Sequence, residues 1–390
     1  MNDKLNILKI CSWYPNDNNP TLGNFVQKHA ESISIYNNVV VLAIFSDVQI
    51  KNHRITIHER PNLTEIIVYY PKRTKGIKFV NLILNFAAHT KAFRIGFQKV
   101  KEKFVRPDIV HLNITYPLGI WALWLKIKHN IPYVITENAT GLHVGTKHAY
   151  PKHILRLCQK IIGSANLLIP VSRDLKDYMK KLSPNSEFEI ISNVVDEKIF
   201  NYEPSKTNEL KKSLIHISTC LDVHKNIRGI LNSIHSISKF RQDFILNIVS
   251  DGDVQYAKEI VVKYGLEHLV LFHSTKTTLE IATMLKSSSA LLLFSNYENF
   301  PCVIAESLML GKPVISTSVN GIPEHVNSSN GILVKPGDEK ELETAICNFL
   351  DNKIQFDSNS IHSYAFEYFS YQEVGRKFDV QYRRVLSNNK

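Results

Sequence analysis

Short β-like runs alternate with longer stretches of helical periodicity along the whole chain. In the first half the runs are Asn6–Cys11, Val39–Phe45, Ile66–Tyr70, Ile109–Leu112, Tyr133–Thr136, Leu167–Val171 and Glu189–Ser192. In the second half they are Leu214–Ser218, Phe244–Val249, Val270–His273, Ala290–Phe294, Pro313–Ser316 and Gly331–Val334. Several of these runs, such as Leu167–Val171 and Ala290–Phe294, have no polar face, so both sides of the strand must be covered. Strands of this kind separated by helical segments form βαβ units, and their sheets are parallel.

At 390 residues the chain is too long for one compact core. The polar stretch 196–212, with Pro204 and many Lys, Asn and Glu residues, follows one set of βα units and precedes another. The expected organisation is an N-terminal domain over 1–195, a linker over 196–212 and a second domain over 213–370. Residues 371–390 form a terminal helix able to pack back on the first domain. The expected fold class is α/β, with two doubly wound, Rossmann-like domains facing a central cleft. Ligands of such sheets bind beyond the carboxyl ends of the strands.

Charge is unevenly divided. Residues 1–195 hold 26 Lys+Arg and 13 Asp+Glu, whereas the remainder holds 21 and 23. The whole excess of +11 therefore lies in the first half, which points to an anionic partner or to a solvated basic face. Its densest part is 72–106, with ten basic residues and the single acid Glu102, interleaved with Phe79, Leu82, Ile83, Phe86, Phe93 and Phe97. A helix of this composition suits an anionic membrane surface, and a helix packed on the sheet accounts for the same apolar residues. The five cysteines are odd in number and widely spread, as expected for reduced thiols in a cytosolic protein. The first apolar run reads as a strand and not as a signal peptide. No apolar run reaches the roughly 18 residues of a membrane span, so membrane contact would be peripheral, on the cytoplasmic face.

The segment carrying most chemistry is Ser295-Asn-Tyr-Glu298-Asn-Phe300-Pro301-Cys302-Val303-Ile-Ala-Glu306, which continues to Gly311 and Pro313. A buried strand runs into a loop, and Pro301 is expected at the first helical position. Gly311 and Pro313 stop that helix before the next strand. Its N-terminus then lies at the carboxyl edge of the sheet, where free N–H groups favour a diphosphate. Glu298 in the loop and Glu306 in the second turn flank that position. Each carboxylate can accept two hydrogen bonds from a vicinal diol of a sugar or ribose.

Glu298 and Glu306, separated by seven residues, resemble the paired glutamates of the retaining GT-B glycosyltransferases, the glycosyl transferases group one family. The likeness extends in order along most of the chain. It takes in Ser12-Trp-Tyr-Pro with Gly23, Pro107–His111, Ile131–Glu137, Val171-Ser-Arg-Asp, Ile191-Ser-Asn193, His224-Lys225-Asn226, Ser250–Asp253, Gly321–Glu324 and Asn330–Val334. The resemblance implies that Glu298 contacts donor-sugar hydroxyls, Glu306 the ribose diol and Lys225 the leaving diphosphate. It implies that the backbone at Phe300, Pro301, Cys302 and Val303 holds phosphate or sugar. Gly23 would let a loop approach the donor phosphate, and His273–Ser274 would lie by the nucleobase. His111 and Asn138 would fall in the acceptor or sugar region.

Two positions depart from the pattern. Cys220 stands where the family has Arg, with Arg228 a candidate substitute one turn beyond Lys225. Asn138 stands where related enzymes carry His, with His143 a candidate substitute. The implied partners are a nucleotide-sugar donor, which is a substrate and not a cofactor, and a glycan or lipid-linked acceptor. No metal is expected, since Asp251-Gly-Asp253 falls in a tight turn, and no nucleic-acid motif is present. A dinucleotide dehydrogenase is disfavoured, because the first strand leads into Cys-Ser-Trp-Tyr-Pro and not a Gly-x-Gly-x-x-Gly turn. A non-catalytic basic binding protein and a nucleotide-sugar epimerase on the same fold are the rival readings.

Overall fold

A computed structural model describes residues 3–142, 149–203 and 212–388. The chain divides into two compact units. One runs up to Ser192 and is joined by the residues from Tyr371 onward; the other is Asn193–Ser370.

The first unit is built from β1 (Asn6–Cys11), α1 (Asn24–Ser34), β2 (Asn38–Asp47), β3 (Arg54–Arg60), β4 (Leu63–Pro71) and α2 (Lys78–Lys103). These are followed by β5 (Ile109–Asn113), α3 (Gly119–His129), β6 (Tyr133–Glu137), α4 (Lys152–Gly163), β7 (Leu167–Pro170) and α5 (Arg173–Leu182). The strand order is β3-β4-β2-β1-β5-β6-β7. All pairings are parallel except β3 with β4. One face of the sheet (Leu8, Ile10, Leu42, Val110, Leu112, Ile135) packs on α2 and α3, where Phe93 stacks on Trp121 with ring centroids 4.1 Å apart.

The second unit contains β8 (Lys212–Ile217), α6 (Asp222–Lys225), α7 (Ile227–Ser238), β9 (Phe244–Val249), α8 (Gln255–Tyr264), β10 (Val270–His273) and α9 (Thr278–Lys286). It continues with β11 (Ala290–Leu293), α10 (Cys302–Met309), β12 (Val314–Thr317), β13 (Gly331–Val334), α11 (Glu339–Leu350) and α12 (Ser358–Phe369). This sheet is wholly parallel, in the order β10-β9-β8-β11-β12-β13. Local chemistry starts its helices. Thr277 and Glu280 form a reciprocal capping box on α9, and Asn226, Asp338 and Asp357 cap α7, α11 and α12.

The last helix, α13 (Tyr371–Ser387), returns to the first unit and packs on α1. Gly375 permits the close approach, because a Cβ there would lie 2.2 Å from the Ser32 carbonyl oxygen.

The structure departs from the sequence reading, or adds to it, at three places. Glu189–Ser192 is not a strand, and only Phe188 bridges to Leu168. β3 was not anticipated: it is a mostly exposed edge strand whose apolar face is only Ile55 and Ile57, joined to β4 through Pro61-Asn62, with Asn62 at φ 60°. The segment 72–106 is not uniform. Ala92, Phe93, Gly96, Phe97 and Val100 lie in the core, whereas no residue of 78–88 is buried.

Candidate functional site

In the second sheet β8 lies beside β11, with β9 on the other side of β8 and β12 on the other side of β11. Chain order reverses at the β8/β11 junction, and ligands of open α/β sheets bind outside such a junction. The two loops leaving it carry the charged residues singled out in the sequence. The β8 loop leads through α6 to Lys225, and the β11 loop leads to Glu298. The Lys225 ammonium donates to Glu298 Oε1, and both side chains are largely withdrawn from solvent.

The two loops are also joined along their backbones. Asn296 N donates to His224 O at 2.8 Å, and the Asn296 amide donates to Val223 O at 3.3 Å. Ser295 Oγ donates to Glu298 Oε1 at 2.8 Å. The Ser295 carbonyl accepts from Thr317 Oγ1 at 2.7 Å, and Glu298 N donates to Asn320 Oδ1 at 3.3 Å. Glu298 is thus held from β11, β12 and the β8 loop at once. Sequence reasoning missed Ser295, Thr317 and Asn320. Only Ser295, three residues ahead of Glu298, gave a local signal.

The helix predicted from Pro301 is α10, but Pro301 is its N-cap, with extended ψ, and Cys302 is its first residue. Pro301 itself makes no side-chain cap hydrogen bond, and the helix starts at the sheet's carboxyl edge, with the positive end of its dipole there. Glu306 lies one turn in, on the same face as Cys302, and is 9% exposed. Phe300 is a core residue, its ring 4.7 Å from His325 and 5.4 Å from Phe369. Its carbonyl accepts from the Asn193 amide at 3.1 Å. Gly311, at φ 68°, ends the helix, as expected.

Cys220, in place of an arginine, is buried at φ 53°. Its N–H donates to Ser218 Oγ at 3.0 Å and its carbonyl accepts from Tyr256 Oη at 2.6 Å. Burial pushes its thiol pKa up, so it brings no charge. Arg228 does not replace the missing arginine here: it pairs with Asp222 at 3.1 Å and lies over the Tyr256 ring. His216 in β8 supports the same loop. Nδ1 meets Leu292 O at 2.9 Å and Nε2 meets Ser218 Oγ at 2.7 Å, and burial lowers its pKa to about 4. Ser274 is exposed at the end of β10, two strands from β8.

The remaining predicted residues belong to the first unit. Gly23 is the left-handed N-cap of α1 at φ 64°. A Cβ there would stand 2.7 Å from the Trp13 carbonyl carbon, so the chain's own backbone already demands glycine. His111 is corrected from an acceptor-side residue to a core residue. It is fully buried, with Nδ1 2.5 Å from Tyr382 Oη and Nε2 2.7 Å from Thr136 Oγ1. Asn138 follows β6 and is buried, its N–H donating to Glu137 Oε1 at 3.0 Å. Glu137 also accepts from Ala139 N and from both Thr115 N and Oγ1, so it binds two loops together at the carboxyl edge. Burial raises its pKa against the pull of those donors. His143 lies outside the described residues.

Chemically, the second unit offers the Lys225 ammonium and the start of α10 for phosphate oxygens. It also offers two carboxylates for hydroxyls. Among the described residues no three His, Cys, Asp or Glu side chains group as metal ligands.

Residues 199–366 match the family Glycosyl transferases group 1, and residues 43–198 match Glycosyltransferase Family 4. The N-acetyl-alpha-D-glucosaminyl L-malate synthase of Bacillus anthracis is 26% identical over 73% of this chain and 76% of its own. TuaC of Bacillus subtilis, a glycosyltransferase named for teichuronic acid biosynthesis, is 24% identical over 68% of this chain and 67% of its own. The fold is shared with Anabaena Alr3699/HepE, solved in complex with UDP. The TM-score is 0.73 at 16% identity, covering 97% of this chain and 100% of that one.

Proposed function

The chain belongs to the group 1 glycosyltransferases, on the GT-B fold, and from that premise we propose that it moves a sugar from a nucleotide-sugar donor to a hydroxyl of a glycan or lipid-linked acceptor. The observation that carries this reading is the Lys225–Glu298 pair at the β8/β11 junction, in the loop that leads into α10.

In this reading the donor diphosphate draws Lys225 away from Glu298 and accepts from the α10 N-terminus. Glu298, freed to accept, holds donor-sugar hydroxyls, and Glu306 holds the ribose diol. The bond from the anomeric carbon to the diphosphate oxygen breaks as the acceptor oxygen bonds to that carbon on the same face. The leaving phosphate takes the acceptor's proton, and configuration is retained. Lys225 and the helix dipole are fixed in place before charge develops, which is the condition for electrostatic stabilisation. No metal and no cofactor take part. Polysaccharide or cell-envelope synthesis is the setting, in keeping with TuaC, and the HepE complex makes UDP the first base to try.

The test is a thermal-shift screen of UDP-, GDP-, ADP- and dTDP-sugars on wild type and Glu306→Ala. Stabilisation by one nucleotide class, lost in the variant, is expected. No stabilisation by any of them overturns the donor site. Turnover of the donor alone, without acceptor, would replace transfer by epimerisation. Activity abolished by chelator and restored by manganese would overturn the metal-free step.

A further inference from the structure

The N-terminal half of α2 projects beyond the core of its own unit. Its Ala88 carbonyl bonds to His53 at 3.0 Å, His89 meets Tyr70, and the helix enters the core at Ala92. Ahead of that point Phe79, Leu82, Ile83 and Phe86 are 69, 66, 53 and 57% exposed. Their spacing of i, i+3, i+4, i+7 places all four on one face. Single exposed apolar residues are ordinary, but a contiguous stripe of this size marks a docking surface.

The back of the same turns is occupied. Asn85 bonds both the N–H and the carbonyl of Arg73, at 2.8 and 3.0 Å, and Asn81 bonds the Lys75 carbonyl at 3.1 Å. The two asparagines therefore fix the loop 72–76 along the helix. Lys72, Arg73, Lys75 and Lys78 are all exposed there. No carboxylate pairs with any of them among the described residues, and the sequence has no acid between Glu65 and Glu102. Apolar stripe and cations without a carboxylate partner are thus joined in one edge.

We propose that this edge is a docking surface for an anionic bilayer. Phe79, Leu82, Ile83 and Phe86 enter the acyl boundary while Lys72, Arg73, Lys75 and Lys78 meet the lipid phosphates. The unpaired charge selects a lipid surface over a second copy of the chain, since two such edges would repel. The proposal stands apart from the donor site and holds whatever sugar is moved.

The full chain is sedimented with vesicles of phosphatidylcholine alone and of phosphatidylcholine with phosphatidylglycerol. Binding is expected only to the second. Lys72→Ala, Arg73→Ala and Lys75→Ala combined should lower the partition on the order of 100-fold, at about fivefold for each cation. Phe79→Ser, Leu82→Ser, Ile83→Ser and Phe86→Ser combined should abolish it. The urea midpoint should hold in both variants, because the replaced side chains are exposed. In a Phe79→Trp variant the added emission should shift to the blue with anionic vesicles. Wild type failing to bind anionic vesicles, or either variant binding unchanged, overturns the proposal. So does a wild-type dimer by light scattering that the four-serine variant dissolves without any vesicle binding.

Discussion

Lys225 and Glu298 are 73 residues apart in sequence and form an ion pair across the β8/β11 junction. Ser295 donates to the same carboxylate oxygen, so Glu298 Oε1 has two donors and is fixed before any ligand arrives. The pair is electrically neutral as it stands. Each partner becomes available only when a bound group replaces the other, which suits a ligand carrying both phosphate and hydroxyls.

Lys225→Met should lower kcat roughly 100- to 1,000-fold, the usual loss when one preorganised donor is removed. It should also cost about 1–3 kcal/mol of stability, because Glu298 loses its charged donor. Adding Glu298→Gln should recover part of that stability and none of the activity. Urea unfolding and steady-state kinetics on the four proteins of the cycle check both. Equal and additive losses would mean that the two side chains do not act as a pair.

Ser295→Ala removes a hydrogen bond to a buried carboxylate and should lower kcat roughly 10- to 100-fold. The thermal shift given by the nucleoside diphosphate alone should not change, because Ser295 positions the sugar-side carboxylate. Ser295→Thr should keep most of the activity. An unchanged kcat in the alanine variant would remove Ser295 from the mechanism.

Gly23→Ala should destabilise the first unit by at least about 2 kcal/mol. The left-handed backbone alone costs about 1–2 kcal/mol, and the new Cβ would meet Trp13 carbon atoms at 2.7 and 2.9 Å. Gly23→Asn tolerates the backbone angle but keeps the collision. If urea unfolding finds the asparagine variant as stable as wild type, the contact with Trp13 is not what demands glycine.

Acid should loosen the second unit through His216. Unfolded, this histidine takes a proton near pH 6.5; folded, burial holds its pKa to about 4. The stability it contributes is therefore complete above pH 6.5 and is lost as pH falls from there toward 4. That interval corresponds to roughly 3 kcal/mol. His29 in the first unit, held near 3 by burial and by Lys9, acts in the same direction. The fall in urea midpoint between pH 7 and pH 5 should be smaller in His216→Gln than in wild type. An equal fall would place the acid sensitivity elsewhere.

Sequence alone determined the local and periodic features. Solid apolar runs made the parallel strands legible, because a strand covered on both faces has no polar positions. Gly311 and Pro313 bounded α10, and Glu298 and Glu306 around its start marked the candidate site. Tertiary structure decided which distant residues meet. Periodicity records that a residue is buried and not what buries it: the resemblance assigned Lys225 and Glu298 to one donor, and their ion pair became visible only with β8 beside β11. Thr317 and Asn320 reach the Glu298 loop for the same reason, through β12. His111 could not be told from a surface histidine until Tyr382, 271 residues away, was found on its ring nitrogen. Both halves of α2 carry apolar residues, but 78–90 holds one charged residue and 91–103 holds six. Composition would bury the first half, and the structure buries the second: Ala92, Phe93, Gly96, Phe97 and Val100 lie in the core, whereas no residue of 78–88 does.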